Sequence, residues 1–97
     1  MNLEQSRKAI DEIDQQLVKL FTERMACAAE IAAYKKENNL PVLDAGRERQ
    51  KLAAISEMAP DDLENSARCL YSLIFSLSRA YQHGGLRQQG LRSHAPA

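Results

Sequence analysis

From Leu3 to Glu37 the chain runs for thirty-five residues without a glycine or a proline, and nothing else in its 97 residues restricts the fold as much. The stretch reads as one helix. Ile10, Ile13, Leu17, Leu20, Cys27, Ile31 and Tyr34 recur at steps of three and four, with one gap at position 24, the pattern of an apolar stripe that packs on other helices. At 1.5 Å per residue this helix is about 52 Å long, whereas a compact globule of such a chain is only about 35 Å across. The remaining residues cannot cover the stripe alone. A second copy of the chain is therefore expected against it, since an uncovered apolar face of that length aggregates.

Two cations interrupt the stripe. Arg24 fills the gap between Leu20 and Cys27, and Lys35 sits one turn beyond Ile31. Eleven residues apart, they stand within about 20° of one another around the helix and about 16 Å apart along it, so two long side chains converge on one small space. Arg7 borders the same stripe about 25 Å from Arg24, too far to share a small ligand unless an antiparallel partner helix brings it back. The plainer alternative is that all three are snorkelling or ion-paired surface residues.

Thirteen basic and thirteen acidic residues cancel, so no global field draws the chain to nucleic acid or a membrane surface, and any anion site is local. The N-terminal MNLEQSRK lacks the apolar core of a secretory signal and no apolar run approaches membrane-spanning length, which points to a cytoplasmic protein of one domain. Cys27 and Cys69 lack CxxC spacing and read as reduced core thiols. His83 and His94 have no partner at ligand spacing, so a metal is not expected.

In ENNLPV, Asn38 or Asn39 suits a left-handed C-cap and Pro41 ends the first helix. Asp44 is placed to cap a second helix, DAGRERQKLAAISEM, despite Gly46 in its first turn. Its apolar row of Leu52, Ile55 and Ala59, stepped back one turn, lands on Glu48, so that carboxylate faces inward beside Arg47. An ion pair with Arg47 or Lys51 is the plain explanation. A third helix is expected from Pro60 to about Gly84-Gly85, with Leu63, Ala67, Leu70, Ile74, Leu77 and Tyr81 as its apolar row, broadened by Leu73 and Phe75. Ser78 and Gln82 lie one turn apart beside that row and could serve only to satisfy each other or a backbone carbonyl. Residues 85–97 read as a disordered tail or the start of a linker after a domain at 1–84. The fold class is thus all-α, with one long and two shorter helices in an intertwined homodimeric bundle.

Four motifs in order, R-K-A-I-D-E-I-D, E-R-M-A-C-A-A-E-I-A-A-Y-K, P-V-L-D-A-G-R-E-R and S-R-A-Y-Q, resemble the all-helical chorismate mutase family, the AroQ class, over residues 3 to about 84. The likeness extends to the mutase domain of bifunctional chorismate mutase/prephenate dehydratase proteins. It implies the rearrangement of chorismate to prephenate in aromatic amino acid biosynthesis, an intramolecular pericyclic shift that uses no cofactor, metal or nucleophile.

Carried onto this sequence, the resemblance makes Arg7, Arg24, Lys35, Asp44, Arg47, Glu48, Ser78 and Gln82 the substrate-binding set, and Arg24, Lys35, Glu48 and Gln82 the catalytic one. Arg24, Arg47 and Arg7 from the other chain would clamp the two carboxylates. Lys35 and Gln82 would donate to the breaking ether oxygen, Glu48 would accept from the ring hydroxyl, Ser78 would bind a carboxylate, and Asp44 would shape the loop. Arg79 and Gly46 depart from the pattern and leave the local geometry open. Two other readings remain: an isochorismate pyruvate-lyase on the same fold, and a non-catalytic dimerisation or regulatory module.

Overall fold

A computed structural model describes residues 2–83, and among them the chain is all helix. Helix α1 spans Leu3–Glu37, α2 spans Ala45–Met58 and α3 spans Glu64–His83, with one 3-10 turn at Asp61–Leu63 before α3. The expectations for residues 85–97 and for a helix end near Gly84-Gly85 lie outside the described residues.

Each boundary has a local cause. At the start of α1, Asn2 accepts from the Gln5 backbone N–H at 2.8 Å while the Gln5 side chain accepts from the Asn2 N–H at 3.0 Å, a reciprocal capping box. At its end Asn39 takes φ +56°, and the N–H groups of Asn39 and Leu40 return to the carbonyls of Lys36 and Lys35. That pair of bonds is a Schellman closure, and Pro41 then prevents any continuation. The turn folds Val42 back over the last turn of α1, where the Lys35 ammonium donates to the Val42 carbonyl at 2.9 Å. Asp44 caps α2 by accepting from the Arg47 N–H at 3.0 Å.

Pro60 is not in the first turn of α3, contrary to expectation. Its φ of −60° suits a helix but its ψ of 152° is extended, and the chain makes a tight 3-10 turn closed by the Leu63 N–H on the Pro60 carbonyl before α3 begins at Glu64. A ring that fixes φ leaves ψ free, and the shorter i to i+3 turn reverses the chain in fewer residues.

Helix α3 packs on both α1 and α2, which do not pack on each other. The buried apolar residues are Met25, Ala28, Ile55 and Phe75, joined by the hydroxyl of Ser78. On α2 the expected row lies inward, with Ile55 buried and Leu52, Ala59 and Glu48 half-buried. On α3 the inward face is rotated from expectation: Phe75, expected only to broaden the row, and Ser78 are its most buried residues, Ala67, Ile74 and Leu77 of the row are half-buried, and Leu63, Leu70 and Tyr81 of the row are exposed with Leu73 beside it.

The stripe on α1 is also bare. Ile10, Ile13, Leu17, Leu20, Ile31 and Tyr34 are all exposed, Leu17 by 56%, because α3 meets α1 along Arg24, Met25 and Ala28 instead. Cys27 and Cys69 are free thiols but not core ones. Both are exposed, Cys27 because it belongs to the uncovered stripe. The chain measures 54 × 38 × 18 Å with a radius of gyration of 16.3 Å, well above the roughly 13 Å of a compact chain this long. Its longest dimension is that of α1. No helix among the described residues is long and apolar enough to cross a membrane.

Candidate active site

Where α1, the 38–44 turn, α2 and α3 meet they enclose a cavity of about 350 Å³. Seven of the eight polar residues singled out in the sequence line it: Arg24, Lys35, Asp44, Arg47, Glu48, Ser78 and Gln82. Arg7 does not. It stands exposed on the first turns of α1, near the other end of that helix.

Arg24 is the best-anchored member. Its guanidinium lies 5.8 Å from the Tyr71 ring centre and 5.7 Å from that of Phe75, and those two rings meet edge to face at 6.2 Å. The ring faces attract the cation and fix its plane. One N–H donates to the Ser78 hydroxyl at 3.4 Å, and Ser78 in turn donates to the Met25 sulfur at 3.5 Å. The guanidinium has five N–H donors, so most remain for a ligand. A bidentate grip on a carboxylate is what such a fixed fork does best.

Lys35, half-buried at the turn, spends one of its three protons on the Val42 carbonyl. Gln82, across the cavity on α3, donates from Nε2 to the Ala28 carbonyl at 3.1 Å, which ties α3 to α1 and leaves the second amide proton free. The plain expectation that Gln82 satisfies a backbone carbonyl is thus met, yet the residue also faces the cavity. Asp44 is occupied as the cap of α2, and Arg47, exposed on the first turn of α2, reaches the cavity rim.

Glu48 does face inward, but neither Arg47 nor Lys51 is its partner. Its Oε2 pairs with Nη1 of Arg79 on α3. Sequence reasoning named Arg79 only as an irregularity. The available signal was that position 79 precedes Gln82 by three residues, so the two share one face of α3, and that an inward carboxylate requires a cation. Lys51, one turn after Arg47, and Phe75 also line the cavity and were not assigned to it from sequence.

Five cations, Arg24, Lys35, Arg47, Lys51 and Arg79, therefore oppose two carboxylates around a space the size of a small molecule. The lining suits a small anion, and most of its polar groups are hydrogen-bond donors. Among the described residues no three His, Cys, Asp or Glu side chains come together as a metal site.

A helical chain with a donor-lined anion pocket defines a class, and sequence comparison identifies it. The chorismate mutase type II family matches residues 6–83, and the chain belongs to that family. A chorismate mutase from Methanocaldococcus jannaschii is 29% identical over 82 residues, which cover 82% of this chain and 83% of that protein. No solved structure matches significantly. The activity is accordingly that of a chorismate mutase, an isomerase.

Proposed function

We propose that the cavity is the seat of the chorismate to prephenate rearrangement and that it works by holding the substrate in its reactive shape. The carrying observation is the convergence of Arg24, Lys35 and Arg47 with Ser78, Gln82 and Glu48 on one space of about 350 Å³. Arg24 and Arg47 bind the two carboxylates and fold the enolpyruvyl arm over the ring, with Ser78 assisting at one carboxylate. This turns binding into proximity of the two carbons that must bond, the largest saving available to an intramolecular reaction. As the ether C–O bond breaks, negative charge grows on its oxygen. Lys35 and the free amide proton of Gln82 are the donors that meet it, already oriented by their bonds to Val42 and Ala28. Glu48 accepts from the ring hydroxyl, and Asp44 holds the first turn of α2 so that Arg47 and Glu48 face the site.

The unit in this reading is an intertwined homodimer. Its support is the bare apolar length of α1 and the position of Arg7, which reaches a cavity only if it is Arg7 of the partner subunit in an antiparallel arrangement. The mutase domain in this reading spans residues 1–84, supported by the family match over residues 6–83. A cytoplasmic location belongs to this reading.

Purified protein incubated with chorismate should remove its absorbance and yield prephenate. Incubation with isochorismate, run separately, tests the lyase alternative: pyruvate release from isochorismate without consumption of chorismate would replace the mutase reading.

A further inference from the structure

The geometry points to Arg79 as a positioning residue for Glu48, an assignment that rests on the mutase reading of the cavity. Arg79 lies on α3, midway between Phe75 and Gln82, and lines the same cavity. Its Nη1 binds Oε2 of Glu48, while its Nη2 donates to the Ser76 hydroxyl at 3.3 Å, one turn back on its own helix. The guanidinium is thus held at two points. The two side chains are each about one-third exposed, 33% and 28%, so the pair stands at the cavity wall rather than loose on the surface.

Only one carboxylate oxygen is used. Among the described residues Oε1 of Glu48 accepts no hydrogen bond, so it is the oxygen left for a substrate hydroxyl. A glutamate has three rotatable bonds, and in a cavity with Lys35, Arg47 and Lys51 nearby its carboxylate has other cations to swing toward. Fixing Oε2 from α3 selects the orientation that aims Oε1 into the cavity. The pair also ties the first turn of α2 to α3. Arg79 therefore acts on the reaction through Glu48, and its own donors need not reach the substrate.

Four proteins test this: the parent, Arg79→Met, Glu48→Ala and the double variant, with Arg79→Lys as the conservative control. Positioning predicts that Arg79→Met lowers kcat about tenfold while KM for chorismate moves less than threefold, and that Arg79→Lys recovers most of the loss. It also predicts that Arg79→Met causes no further loss of kcat once Glu48 is Ala, because the acceptor that it orients is gone. If Arg79→Met costs the same factor in both backgrounds, Arg79 contacts the substrate itself and the assignment is wrong. A parent-like kcat for Arg79→Met overturns it as well.

Melting temperatures of the same four proteins read the pair without any turnover. Non-additive shifts support the tie between Arg79 and Glu48, and additive shifts overturn it. A parent that melts with coupled shifts but does not consume chorismate refutes the mutase reading while leaving the pair intact.

Discussion

At the scale of the residue, Lys35 and Gln82 carry the sharpest expectations. In the proposed mechanism Lys35→Ala removes a charge aimed at an oxygen that becomes anionic only in the transition state, so turnover should fall at least about 100-fold, equivalent to about 3 kcal/mol. Its loss also frees the Val42 carbonyl from a charge-assisted bond worth about 1.5 kcal/mol, so the melting temperature should drop by several degrees while the protein stays folded. Steady-state kinetics beside a thermal melt separates the two. Gln82 donates at every pH, whereas Glu in its place donates only when protonated. A free Glu has a pKa of about 4.3, and the ionised form would also face the Ala28 carbonyl. Gln82→Glu should therefore be poor at pH 8 and gain activity as the pH falls toward 5, while the parent changes little. Equal activity of that variant at both pH values would make Gln82 a helix-tethering residue only. Both positions were legible in the sequence as polar residues beside an apolar row, and their assignment to one site came through the resemblance to the chorismate mutase family rather than from spacing. Arg79 was not, since its meaning depends on a carboxylate thirty-one residues away on another helix.

Among the elements, α1 and α2 were legible nearly to the residue. An uninterrupted run bounded by Asn2 and by Asn39-Leu40-Pro41 leaves a helix few other lengths, and Asp44 caps α2 as its sequence suggests. The face of α3 was less so. Its apolar residues serve more than one surface, and within a single chain the rotation that buries Phe75 and Ser78 leaves Leu63, Leu70 and Leu73 outside. Periodicity alone cannot assign which apolar face meets which neighbour. The local geometry of α2 gives opposite expectations for two substitutions. Gly46 has no positive φ, and a Cβ there meets Asp44 Oδ1 at 3.6 Å and Arg49 at 3.9 Å, both ordinary contacts. Gly46→Ala should stabilise the chain by about 0.5–1 kcal/mol, read as a higher urea midpoint at unchanged slope. Asp44→Ala should do the opposite by about 1 kcal/mol, and because the cap also orients Arg47 and Glu48 it should lower kcat/KM, which the glycine change should not.

For the whole molecule, the governing facts are the bare length of α1 and the exclusion of Arg7 from the cavity of its own chain. Four buried apolar side chains among the described residues are a small core for a protein 54 Å long, and apolar residues from Leu3 to Tyr34 remain in water unless another surface covers them. In the proposed homodimer a second copy whose α1 runs antiparallel covers that face with its own and carries its Arg7 back toward Arg24, closing with two-fold symmetry and giving two equivalent sites. If the sites are shared in this way, Arg7→Ala and Arg24→Ala proteins should each be nearly inactive alone. After the two are unfolded together and refolded, a heterodimer has one site with both arginines and one with neither. Random pairing makes about half of all dimers mixed, so the mixture should regain about a quarter of the parent activity. Chains that build their sites alone would regain none, and an Arg7→Ala protein as active as the parent would remove Arg7 from the site. Sedimentation supplies the companion measurement, since a folded and fully active monomer at nanomolar concentration is incompatible with a site that needs an arginine from each chain.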